Sequence, residues 1–185
     1  GKALNMSGTS DKVLDGGGKL INAGTMNWTG TGNMVMNNGS VLTNNGQFNI
    51  QTDADIYYTG GAAPTLVNNA TITKSVTAGT TLIGAGAGFT INNAGTINVN
   101  SGTLTLTGPI TQSGTIDIAA GATLDTNNQN LTNAAPGVIR GGGTLFLNTA
   151  TLNNNGIVAP GASTGDTTGT LSITGNYIQG AGGSL

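Results

Sequence analysis

Along this chain single apolar residues alternate with threonine and asparagine, and glycine interrupts the run every few residues. The stretch "NNAGTINVNSGTLTLTG", residues 92–108, shows the pattern without a charge, an aromatic ring or a proline. Alternation has the period of a β-strand, whose successive side chains point to opposite faces. In "TLTLT", residues 103–107, Leu104 and Leu106 take one face and three threonines take the other. The strands predicted this way are short, and the turns between them are written in Gly and Asn.

The strands recur in register. An apolar anchor preceded by a short small-and-polar run returns seven times: "NAGTM" ending at Met26, "NNGQF" at Phe48, "NNATI" at Ile72, "NAGTI" at Ile97, "QSGTI" at Ile116, "APGVI" at Ile139 and "NNGIV" at Val158. The anchors stand 22, 24, 25, 19, 23 and 19 residues apart, a mean of 22. A second register interleaves with it at Leu20, Val41, Leu66, Leu82, Leu104, Leu124, Leu145 and Leu171. Each repeat therefore holds two or more short strands. A unit this small cannot bury an apolar face alone, whereas stacked copies can.

The spacing thus predicts an all-β, parallel β-solenoid of about 22 residues per rung and roughly eight rungs, spanning 1–185 as one unit. Leucines and isoleucines would stack inside and threonines outside. At about 4.8 Å per rung the rod would be on the order of 40 Å long. Asn-Gly pairs such as Asn38-Gly39 and Asn45-Gly46 suit corners because both residues tolerate positive φ. Stacked asparagines can hydrogen-bond along the rod in ladders. An antiparallel sandwich with strands every 8–12 residues is the alternative. Irregular loops are expected at 53–64 and near 160–169.

Composition agrees with stacking. Charged residues are 6% of the chain, and like charges repeated in register would repel. There is no cysteine, histidine or glutamate, which removes thiolate chemistry, cysteine-bound zinc and the commonest general base. At a net charge of −2 no basic footprint for nucleic acid is expected, and no apolar run is long enough for membrane insertion by this segment. The first twelve residues carry no apolar signal-type run, and the sequence reads as a segment of a longer protein.

Few residues invite chemistry. Asp53 and Asp55 in "DAD" are a weak Ca²⁺ candidate through hard oxygen ligands. Asp117 and Asp125, if paired across neighbouring strands, would resemble the carboxylate pair of a glycosidase. Trp28, Tyr57 and Tyr58 are candidates to stack on sugar rings, with one ring of the tyrosine pair exposed if the pair lies in a strand. No catalytic residue and no cofactor site can be assigned.

The final thirty residues, "GIVAPGASTGDTTGTLSITGNYIQGAGGSL", resemble the passenger-associated repeat of bacterial autotransporters and related large surface proteins. The matching positions are Pro160, Gly161, Ser163, Gly169, Thr170, Leu171, Ile173, Gly175, Asn176, Tyr177, Gln179, Gly183 and Leu185. The Gly/Asn/Thr-rich middle, including "NWTGTG" at residues 27–32, is similar to the repeats of giant bacterial exoproteins. The resemblance implies a right-handed parallel β-helix and export to the cell surface or beyond. It further implies adhesion, biofilm formation or display, with host-cell or matrix glycans and proteins as partners. Two other readings stand beside it: an extracellular filament subunit stacking end to end on itself, and a polysaccharide-active β-helix enzyme.

Overall fold

The computed structural model describes residues 2–86, 88–161 and 169–185. Every described element is a β-strand, and every strand-to-strand ladder is parallel. Parallel pairing between strands about 22 residues apart is what winding a repeat into a coil produces, and it excludes the antiparallel sandwich.

Each coil has three strands, hence three faces. The first face stacks Ala3–Met6, Thr25–Trp28, Gln47–Ile50, Thr71–Lys74, Thr96–Val99, Thr115–Ile118, Val138–Gly141 and Ile157–Pro160. The second begins with Lys12–Leu14, Met34–Met36 and Ile56–Tyr57 and continues through Thr80–Ala85, Thr103–Leu106 and Thr123–Asp125. The third runs Lys19–Asn22, Val41–Asn44, Thr65–Asn68, Thr90–Asn93, Ile110–Gln112 and Leu131–Asn133. The eleven-residue strand Thr144–Asn154 then turns from the second face to the third without a break, and Ser172–Gln179 pairs along it.

On the first face the predicted register is the observed one. Met26, Phe48, Ile72, Ile97, Ile116, Ile139 and Val158 are consecutive partners, all buried in one core cluster. Burying each such side chain contributes about 1.5–3 kcal/mol. The second predicted register is corrected. It merges two faces: Leu104, Leu124 and Leu145 stack on the second, whereas Leu20 and Leu66 belong to the third with Leu42 between them. Val41 and Leu82 each lie next to the inward residue, Leu42 or Ile83, and so point the other way. In a period-two pattern a one-residue slip exchanges the faces.

The turns are tight for two different reasons. Asn38 and Gly39 adopt φ of 51° and 72°, as a left-handed corner requires. Gly46 does not; there a Cβ would strike the Gly24 carbonyl of the coil below, so the glycine answers to close approach between coils. Within the expected loop at 53–64, Ile56–Tyr57 forms a short strand with Ile56 buried. The expected insert near 160–169 falls mostly outside the described residues.

Inside the corner between the third and first faces runs a ladder of side-chain amides. Asn22 donates to Asn44 at 2.7 Å, Asn44 to Asn68 at 2.8 Å, Asn68 to Asn93 at 2.7 Å and Asn93 to Gln112 at 2.7 Å. Each amide gives its second proton to a backbone carbonyl of the coil above: Gln47, Thr71, Thr96 and Thr115 in turn. The donors Asn22, Asn44, Asn68 and Asn93 are the first residues of "NAGT", "NNGQ", "NNAT" and "NAGT", so the motif preceding these anchors is the ladder itself. The ladder breaks once. Gln112 is a methylene longer and turns its amide to the Gly114 carbonyl, leaving the buried Asn133 Oδ1 without a donor. The ladder resumes from Asn133 to Asn154 at 2.9 Å. An unsatisfied buried acceptor costs about 1–3 kcal/mol. Gln112→Asn, which restores the reach, is expected to raise stability by about 1 kcal/mol, measured by thermal unfolding; a lower melting temperature would contradict the assignment of the break.

Candidate functional site

The corner between the first and second faces is wider in the early coils than in the later ones. Five residues turn it at 29–33, 51–55 and 75–79, but three at 100–102 and two at 142–143. The longer corners frame an open cleft of about 370 Å³ lined by Thr29, Thr31, Asn33, Gln51, Thr52, Asp53, Ala54 and Thr77.

Its floor rests on Lys74. This residue sits in the inward slot that holds Trp28, Ile50, Val99 and Ile118 in other coils, and it is fully buried. All three ammonium protons are used: the Thr52 carbonyl at 2.9 Å, Asp53 Oδ1 at 2.7 Å and Thr77 Oγ1. Thr81, inward where the next coil has Leu104, donates to the same Thr52 carbonyl at 2.8 Å. Burial raises the Asp53 carboxyl, but bonds from Lys74 and Thr77, the Lys74 charge and the Gly79 amide outweigh it and hold the pKa below its ordinary value. The carboxylate therefore stays ionised near neutrality, and its charge is cancelled by the ammonium beside it.

The "DAD" pair is thus divided. Asp53 is bound to an ammonium, while Asp55 caps the Leu82 amide at 2.8 Å. Asp55 belongs to another ladder, in which Asp11 accepts from the Asn33 amide at 2.8 Å and Asn33 Oδ1 from the Asp55 amide at 2.9 Å. One oxygen of each carboxylate is thus engaged, and among the described residues no three acidic groups converge.

The other candidates are placed as follows. Trp28 is in the core, not on the surface: it is fully buried, stacks 6.3 Å from Phe48 and donates Nε1 to the Gly32 carbonyl at 3.1 Å. It cannot meet a ligand. Tyr57 is half-buried and faces out, its hydroxyl 3.2 Å from Asp11 Oδ2, while Tyr58 packs against the core. Asp117 and Asp125 do not pair. Asp117 registers with Arg140 on the first face and binds it at 2.8 Å, whereas Asp125 lies on the second face between Thr105 and Phe146. Ser163 and Asp166 lie outside the described residues.

Lys74 is the residue that sequence reasoning missed, and a signal for it existed. In "TITK" it is two positions after the anchor Ile72, and therefore on the inward face. Next to it, Val76 is held at φ 78° with 75% of its surface exposed. A β-branched residue in that region is strained. Val76→Gly is expected to stabilise the fold by about 1 kcal/mol, read from chemical denaturation. An unchanged or lower midpoint would mean that the corner does not store this strain.

Comparison with known proteins finds no match: no protein family, no characterised protein and no solved structure is similar enough to carry an argument.

Proposed function

We propose that this solenoid is a non-catalytic structural and adhesive element of a bacterial surface or secreted protein, acting outside the cell in adhesion, biofilm or display. The observation that carries the reading is the outer surface of the first face. Its outward positions are Thr25 and Asn27, Gln47 and Asn49, Thr71 and Thr73, Thr96 and Asn98 in successive coils. Asn49 donates to Asn27 and Asn27 to Asn5, at 2.8 and 2.9 Å, so the amides are held in fixed order. Such a face offers many weak, pre-positioned hydrogen bonds over a length on the order of 35 Å. It suits a partner read by shape, such as a host-cell or matrix glycan or protein.

The test is binding of beads coated with the chain to cultured epithelial cells and to extracted biofilm matrix. Saturable binding that barely changes with salt is expected, because exposed charges are few and salt screens only charges. Binding no greater than that of uncoated beads, or abolished by moderate salt, would contradict the reading. Self-association is the second reading, favoured by Leu4, Ile178 and Leu185, which are 44%, 55% and 78% exposed on the outermost coils. Light scattering across a dilution series separates the two.

A further inference from the structure

We propose that the corner cleft over Lys74 is a binding site for a neutral saccharide unit; the proposal rests on the adhesive reading and names its ligand class.

A coil can be closed at this corner with two or three residues, as at 142–143 and 100–102. The five-residue corners at 29–33 and 51–55 instead raise hydroxyl and amide groups around a cavity. Its volume of about 370 Å³ lies at the small end of the ligand-site range. Thr29 and Thr31 are exposed and, among the described residues, their hydroxyls bond to no protein group. They are free to donate and accept, as the hydroxyls of a sugar require.

Electrostatics selects a neutral ligand. Among the described residues the one charge lining the cleft, on Asp53, is neutralised at 2.7 Å by Lys74. A uronate or phosphate would meet a carboxylate, and a cation would meet a carboxylate whose charge Lys74 already balances. A neutral polyol loses nothing by either, and can donate to Asp53, whose side chain keeps 43% of its surface exposed.

The floor is also rigid before any ligand arrives. Lys74 ties Thr52, Asp53 and Thr77 together from two coils, with no ammonium proton left over. Pre-organisation of this kind removes part of the ordering cost of binding.

The experiment is a nuclear magnetic resonance titration of the labelled chain with neutral gluco-, galacto-, manno- and N-acetylglucosamine oligosaccharides, with a polyuronate for comparison. At least one neutral sugar is expected to give saturable shifts confined to residues 29–33, 51–55 and 77, with a dissociation constant on the order of 1 mM. Thr29→Val with Thr31→Val, which keeps shape and removes both hydroxyls, should weaken binding about tenfold and leave the remaining spectrum unchanged. No shift with any neutral sugar, tighter binding of the polyuronate, or an unaltered affinity in the double variant would each overturn the proposal. The bead assay keeps the two readings apart. Adhesion equal in wild type and double variant removes the cleft but leaves the adhesive reading standing; no adhesion by wild type removes the adhesive reading.

Discussion

Asn68→Ala should lower stability by about 3–5 kcal/mol, equivalent to about 10 °C in melting temperature for a chain of this size. Asn68 is fully buried and is bonded on both sides: it accepts from Asn44 and donates to Asn93 and to the Thr96 carbonyl. Alanine leaves Asn93 Oδ1 without its donor and Asn44 Nδ2 with one bond fewer, in a corner where all three side chains are buried. Asn68→Asp should be worse at neutral pH, because a buried carboxylate would face two acceptors that previously received protons. The control is the next residue. Asn69 is exposed and makes one bond, to Asn45 at 2.9 Å, so Asn69→Ala should stay within about 0.5 kcal/mol. Equal losses at positions 68 and 69 would show that the internal ladder does not hold the coils together.

The second large effect is an asymmetry between partners. Asp53→Ala leaves a buried ammonium without its counter-charge and should cost about 3 kcal/mol. Lys74→Met should be nearly neutral. It places an apolar side chain where other coils carry Ile50 and Val99, and the Asp53 it abandons is 43% exposed and can be solvated. The pair should also show in the pH dependence. The Asp53 carboxyl is held below its unfolded value, which is about 3.9. Its contribution is therefore complete above that value and is lost as pH falls through the lower, folded one. Acid unfolding of Lys74→Met should lack this component. If Lys74→Met proves as damaging as Asp53→Ala, the amine is needed for more than balancing Asp53.

How far the sequence was legible follows from periodicity. The anchors of the first face were readable because each follows a small residue, glycine except for Ala70, at a fixed offset of two, and a ladder amide, Asn or Gln112, precedes it. The other two faces were not separable. Their strands share the same short apolar alternation, and although each third-face strand up to Asn133 ends in a ladder amide, Val41 beside Leu42 or Leu82 beside Ile83 gives two apolar choices one position apart. Three strands per coil therefore read as two or more, with the second and third faces merged into one register. Trp28 was offered as a sugar-stacking candidate, although its place two residues after the anchor Met26 assigns it inward. Lys74 is legible by the same rule, two residues after the anchor Ile72, but was not among the candidates. The cleft was invisible in the sequence, since it depends on loops of three coils lying side by side.

The central claim is that stacked coils are held by an internal file of amides, and it can be tested through the exchange of side-chain amide protons with deuterated solvent. The NH₂ protons of Asn22, Asn44, Asn68 and Asn93 should exchange orders of magnitude more slowly than those of the exposed Asn69, with the backbone amides of the first face equally protected. Side-chain protons that all exchange at the solvent rate would contradict the ladder and, with it, this account of the fold.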